Sequence, residues 1–286
     1  MIDNQTLEWI NDYKTENSKH AATKTVNQFM KYLDAKPLYD FIDEISQDEK
    51  VKFRLINKFL NQLNLAPASV RQSYSFFKSY LRVVHGIKID IEDRRQFIKF
   101  DAIPRVIRFP ITKEIIKDLC MGANPVHKTF YLIQSSSGMR ASESLALKEE
   151  YFNFNSKPVT IRLPADITKM KVERTAFISK EANASLQKNY EAYFGRSKKL
   201  NSFEQYFYHL RNRCGYLEKY ENSINYKVNI HSLRAFFRTQ SIKANINQDL
   251  AEELIGHTGY LKTYKRIDES DLIKAYLKLE PSLRIY

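Results

Sequence analysis

Residues 159–179 read VTIRLPADITKMKVERTAFIS, and they hold the one clear strand pair in a chain otherwise patterned for helices. Val159–Leu163 and residues 172–179 are rich in β-branched residues, and residues 164–171 supply turn chemistry between them. The pair lies in a unit, residues 111–286, that opens with a helical pattern over 112–120 and returns to helical patterns up to Tyr286. Upstream, residues 25–33, 53–63 and 69–85 repeat apolar side chains at helical spacing, so the first hundred residues read as a bundle of about four helices. In the last of these, Val70, Tyr74, Phe77, Leu81 and Val84 form one stripe, and Ser69 is a credible N-cap after Pro67. Residues 89–110 break the period, carry two prolines and mix charges, which reads as a linker. The expected organisation is a helical domain over 1–90, a linker over 91–110 and a second domain over 111–286. The fold class is mainly α with a small β-sheet or hairpin.

With 43% hydrophobic and 28% charged residues in 286, the chain can build a core and is too apolar for disorder. Only 7 Gly and 8 Pro exclude a collagen, a low-complexity linker protein and a glycine-rich nucleotide binder. Cys120 and Cys214 cannot form a disulfide framework, which suits a reducing compartment. Met1 to Gln5 has neither a basic nor an apolar leader region, and no apolar run nears the roughly 18 residues of a membrane span. The expectation is a cytoplasmic protein without membrane contact.

The net charge of +13 points to a polyanionic partner, most often nucleic acid. Its distribution is uneven. Residues 1–49 have a slight acidic excess, whereas residues 50–88 hold Lys50, Lys52, Arg54, Lys58, Arg71, Lys78, Arg82 and Lys88 with no acid. Arg71, Lys78 and Arg82 fall on one helical line about a quarter turn from the apolar stripe. A solvated basic face is the plain explanation; the lack of any neutralising acid favours a face that tracks phosphates.

Most enzyme motifs are absent: there is no P-loop, GxGxxG, GxSxG or HExxH. The six histidines include no pair at metal-binding spacing, so no metal site is expected. Four short contexts remain. In SSSGMRASESL a small-residue turn leads into a helix start carrying Arg140 and Glu143, and an Arg there opposes the helix dipole unless it has another task. A local Arg–Glu pair would also account for it. In HSLR, His231 and Arg234 share one helix face, although a chance basic edge gives the same pattern. In LIGHTG, Asn247 is a credible N-cap and Gly256 a credible C′ residue, which puts His257 at a helix exit. Lys169 stands in the hairpin turn, where lysines are usually just solvated.

Each signal is weak alone, but their order resembles that of the tyrosine recombinases, the phage integrase family. RASESL is similar to the family's Arg motif with its nearby acid. Lys169, five residues before Arg174, resembles the lysine of the GKxxxER hairpin, and HSLR and LIGHTG resemble the HxLR and LGH boxes. The segment from Thr263 to Arg266 resembles the nucleophile segment of archaeal members, so the chain is similar to archaeal virus or provirus integrases. Tyr264 follows His257 by seven residues where the family usually places about nine, and Tyr260 is its rival.

The resemblance implies a helical, SAM-like core-binding domain followed by an α+β catalytic domain. It also implies a DNA strand transferase acting through a 3′-phosphotyrosyl link, with Tyr264 as nucleophile. Arg140, Arg234, His231 and His257 would surround the phosphate, Lys169 would be the general acid, and Glu143 would orient a basic partner. No cofactor is implied. Partners would be double-stranded DNA at a specific attachment or core site and further copies of the chain, in a tetrameric synapse. The helical pattern over 268–279, with Leu272, Ile273, Tyr276, Leu277 and Leu279, gives an apolar stripe that must be buried. It would lie on its own domain, the commoner outcome for a terminal helix, or on a neighbouring copy, as the resemblance implies. A type IB topoisomerase and a catalytically silent DNA-binding protein are the competing readings.

Overall fold

The computed structural model describes residues 3–34, 36–103, 108–221, 223–257 and 267–286, and divides the chain into Met1–Arg105 and Val106–Tyr286. The first unit contains α1 (Asn4–Asn11), α2 (Glu16–Leu33), α3 (Leu38–Gln47), α4 (Glu49–Gln62), α5 (Pro67–His85) and α6 (Ile91–Phe97). Its starts follow local chemistry: Asp3, Thr15 and Asp48 cap α1, α2 and α4 by accepting backbone N–H groups. Helix α5 begins at Pro67 rather than after Ser69. Pro67 takes the first helical position, where its missing N–H costs nothing. Phe29 explains much of the aromatic load. Its ring is fully buried and lies 4.6–5.3 Å from the rings of Phe41, Phe59 and Phe77. Such aromatic pairs add to the transfer free energy of their burial.

The stretch expected as a linker is folded in its first part. Helix α6 occupies Ile91–Phe97, and Ile89 and Ile98 on either side are buried in the core of the first unit. Phe97 stacks on Phe53 at 4.8 Å, and Asn57 ties down the exit of α6 through the Phe97 carbonyl and the Lys99 N–H. The polar helix, IEDRRQF, hides this because none of its own residues is buried, whereas the flanking Ile89 and Ile98 are.

The second unit contains α7 (Lys113–Gly122), α8 (Pro125–Ser137), α9 (Ala141–Leu145), β1 (Phe152–Asn153), β2 (Val159–Leu163), β3 (Arg174–Ile178), α10 (Lys180–Lys188), α11 (Tyr190–Phe194), α12 (Leu200–Arg213), α13 (Ile230–Lys243), α14 (Gln248–Ile255) and α15 (Glu269–Leu283). The sheet is antiparallel in the order β1-β2-β3, with Val159 opposite Ile178 and Leu163 opposite Arg174. The two-residue β1 is too short to show a period in the sequence. The second long strand starts at Arg174, two residues later than its sequence pattern, because Val172 closes the turn against Thr168 instead.

Helix α8 is the hub. It packs on α7, α9, α10, α11, α13, α15 and β3, and residues 129–137 are buried on every side. Ser136 and Ser137, expected as part of a turn, complete its last turn, and small side chains there let neighbours approach. Helix α15 uses this: Tyr276, fully buried, donates its hydroxyl to the Ser136 carbonyl at 2.8 Å. Leu272, Tyr276, Leu279 and Leu283 are buried on their own unit and only Leu277 of the expected stripe is exposed, so the stripe is covered without a neighbouring copy.

One side chain makes this unit sensitive to acid. His127 is stacked between Tyr206 and Phe203, with ring centroids 3.7 and 4.2 Å away, and burial pushes its pKa down to about 4. An unfolded histidine titrates near 6.5. Between those values the unfolded chain binds the extra proton and the folded chain does not, so the stability held above about pH 6.5 is lost as the pH falls towards 4. His127→Gln should therefore be less stable than the parent at neutral pH and lose less on acidification. Urea unfolding between about pH 7 and 5 checks this, and a constant gap between the two proteins would contradict it.

Candidate active site

The site is organised by a carboxylate with no access to water. Glu143 lies in the first turn of α9 and its side chain is 0% exposed. One carboxylate oxygen, Oε1, accepts Arg140 Nη1 at 2.9 Å. The other accepts Arg174 Nη2 at 2.7 Å and the Arg140 backbone N–H at 3.0 Å. Burial alone would raise its pKa, but the Arg174 guanidinium and these hydrogen bonds outweigh it and hold the carboxyl below the usual range. The Arg140–Glu143 pair is thus local in sequence but not isolated. Arg174, on β3, is 5% exposed and also donates Nη1 to the Leu254 carbonyl of α14.

Two glycines allow the closeness. Gly138 ends α8 with φ +64, and a Cβ there would meet Phe237 at 2.7 Å and Ile255 at 2.9 Å. Its carbonyl, turned outward by the left-handed backbone, accepts Arg234 Nη1 at 2.7 Å. Gly256 ends α14 with φ +69, where a Cβ would lie 2.5 Å from Arg174 Nε. Both positions are held to glycine by conformation and by space.

His231 and Arg234 share the first turns of α13, as their spacing predicts. Arg234 is buried, and desolvation first, then repulsion from Arg140 and Arg174, pushes its pKa down to about 10. His231 is held below the ordinary histidine value by desolvation, then by Arg234, Arg108, Arg140 and His257. Arg140, His231, Arg234 and His257 therefore feel one another, although they come from three separate stretches. His257 hydrogen-bonds through Nδ1 to Glu252 at 2.7 Å, and Glu252 also accepts Arg238 Nη2 at 2.8 Å.

Lys169 is exposed on the β2–β3 turn. Its neighbours Thr168 and Met170 line a small cavity with Arg140, Glu143, Arg174 and Gly256. Lys171, by contrast, folds its ammonium back on the Asp166 carbonyl at 2.6 Å. Tyr264 and Tyr260 lie outside the described residues. Among those described, no group of three or more His, Cys, Asp or Glu is placed to hold a metal ion, and no helix is long and apolar enough to cross a membrane.

The stretch 97–267 matches the phage integrase family. The chain belongs to that family. The matched stretch covers Arg140, Lys169, His231, Arg234, His257 and Tyr264 in one run. No curated protein matches the chain. Solved structures share the tyrosine-recombinase fold. XerH recombinase bound to its difH substrate is 16% identical with a TM-score of 0.62, covering 91% of this chain and 78% of that one. The Tn1549 transposon integrase with transposon right-end DNA is 14% identical at 0.63, covering 96% and 98%. A lambda integrase tetramer on a Holliday junction is 14% identical at 0.64, covering 92% and 80%.

The expected basic face divides in the structure. Lys50, Arg54, Lys58, Arg82 and Lys88 are exposed and Lys78 is half-buried. Lys52 is buried against Phe53 and paired with Glu49 at 3.1 Å, an acid one residue before the acid-free run. Arg71 donates to the Asp101 carbonyl at 3.0 Å and lies over the Phe100 ring, so it fastens the end of its own unit. Sequence reasoning assigned no role to Arg174, Arg238 or Glu252; for Arg174 the signal was an arginine inside an apolar strand.

Glu143→Ala should destabilise the protein by about 3–5 kcal/mol, because it leaves Arg174 buried without its counter-charge. Denaturant unfolding measures this. A loss within about 1 kcal/mol, an ordinary surface effect, would mean that Arg174 finds another partner.

Proposed function

We propose that the chain is a site-specific DNA recombinase of the integrase type. It would cleave and rejoin strands through a 3′-phosphotyrosyl intermediate on behalf of a mobile element, with an archaeal virus or provirus as the source its nucleophile segment resembles. The observation that carries this reading is the convergence of Arg140, His231, Arg234 and His257 around one place where positive charge outweighs Glu143. A site that holds arginines against their mutual repulsion is suited to an anion, and planar guanidinium forks suit the oxygens of a phosphodiester.

In this reading the Tyr264 hydroxyl attacks phosphorus. The Tyr–O–P bond forms, the bond to the 5′ oxygen breaks, and that oxygen takes a proton from Lys169. Arg140 and Arg234 neutralise the non-bridging oxygens where charge builds up; losing one such donor typically costs on the order of 10²–10³ in rate. His231 and His257 add hydrogen bonds to the phosphate or move the proton from the phenol. The new phosphotyrosyl bond retains the energy of the old one, so rejoining needs no nucleotide, and with every role filled by a side chain no metal ion or other cofactor is required.

The first unit, expected over residues 1–90 and extended by α6, would act as a core-binding domain that holds double-stranded DNA, with residues 111–286 as the catalytic domain. The lambda integrase tetramer on its junction and XerH on difH are precedents for assembly on a specific site. A tetrameric synapse on DNA is proposed here too.

Tyr264→Phe should abolish the covalent adduct on a nicked suicide substrate, in EDTA and without ATP, while leaving DNA affinity nearly unchanged. An adduct that survives in Tyr264→Phe and vanishes in Tyr260→Phe would move the nucleophile. Relaxation of supercoiled DNA regardless of sequence would instead mark a topoisomerase.

Reversing Lys78 and Arg82 to Glu should weaken DNA binding and flatten its salt dependence, each lost phosphate contact removing roughly 0.9 from the slope of log K against log salt. Filter binding between about 50 and 200 mM salt reads this, and an unchanged slope would mean the face is only solvated.

A further inference from the structure

Glu252 and His257 meet because of how α14 ends. Gly256 turns the chain left-handed, so the His257 N–H reaches the Glu252 carbonyl at 2.9 Å and the Gly256 N–H reaches the Glu253 carbonyl at 2.9 Å. This pair of bonds lays the residue after the glycine over the residue one turn back. The same fold of the chain brings the His257 ring against the Glu252 side chain, Nδ1 to Oε2 at 2.7 Å. The other carboxylate oxygen, Oε1, accepts Arg238 Nη2 at 2.8 Å, and Arg238 lies one helical turn beyond Arg234 on α13.

We infer that Glu252, held by Arg238, is a positioning residue that fixes the ring of His257 so that Nε2 is the nitrogen presented to the substrate phosphate. An ionised carboxylate only accepts, so Nδ1 must carry the proton of that bond. Nε2 then makes no hydrogen bond among the described residues; it is an acceptor in the neutral ring and a donor in the charged one. The side chains of Glu252 and His257 are 30% and 52% exposed, and a pair that open to water adds little to stability. Its consequence is geometric: it sets the tautomer and direction of one ring, and couples the exit of α14 to the helix carrying His231 and Arg234. This rests on the proposed strand-transfer reaction.

The test is Glu252→Gln in the full-length protein, read in two ways. Ring-nitrogen NMR of the DNA-free protein at alkaline pH should show His257 as the Nδ1–H tautomer in the parent and a mixture in the variant. Single-turnover cleavage of a suicide substrate at saturating DNA should slow by about ten- to a hundredfold, by analogy with the loss of groups that orient metal-binding histidines, with DNA affinity unchanged. In a His257→Ala background the same substitution should cost nothing further, which a general structural defect would not reproduce. An unaltered tautomer, or an equal loss with and without His257, overturns the inference. A parent protein that forms no adduct would overturn the proposed function, and the ring tautomer would then decide the inference by itself.

Discussion

A carboxylate sealed from water must be paired, and Glu143 meets that demand with two guanidiniums from different parts of the chain. Everything near the site is arranged around this constraint. Arg140 is three residues away and its backbone N–H is bound as well, so α9 can start in only one way. Arg174 must arrive from β3, which fixes the register between the sheet and α9. Because Arg174 also holds the Leu254 carbonyl, the end of α14 is drawn to the same point. Removing the acid would therefore release three elements at once.

The arginines can converge only because two positions carry no side chain. Gly138 lets α13 and α14 close over the end of α8, and its outward carbonyl gives Arg234 a fixed anchor. Gly256 yields its space to the Arg174 stem. The left-handed turns at these glycines also set the direction in which the chain leaves, towards Arg140 in one case and through His257 in the other. Conformation, packing and the aim of the charged groups are one condition here.

Motifs that depend on local chemistry were legible in the sequence. The cap at Asn247, the turn at Gly256, the helical pairing of His231 with Arg234 and the span of β2 all stand where their neighbours predict. What depends on tertiary surroundings was not. Ser136 and Ser137 read as a turn, yet they end a helix buried on all sides, where small residues admit Tyr276. The terminal stripe of α15 looks unpartnered in the sequence because its cover, from α14, α13 and α8, is set by tertiary packing. Lys52 and Arg71 read as free cations, but a neighbouring acid and a distant carbonyl had already engaged them. Arg174 was visible as part of a pattern, while its role required knowing that Glu143 lies beside it.

The charge balance completes the argument. Around the site stand Arg140, Arg174 and Arg234 with His231 and His257, and the facing acids are Glu143 and Glu252. Glu143 is hydrogen-bonded by Arg140 and Arg174, and Glu252 by Arg238 and His257; both acids favour the Arg234 charge, but less than desolvation, Arg140 and Arg174 oppose it. Among the described residues, Arg234 donates Nη1 to the Gly138 carbonyl and its Nη2 is buried without a partner. Even pushed down to about 10, it stays charged at neutral pH. A buried charge in that condition is costly until an anion reaches it. The fold has met the cost in advance through packing elsewhere, which is what makes such donors effective when charge develops on a substrate. In the proposed reaction an entering phosphate would offset the desolvation and the repulsion that together lower Arg234 and His231.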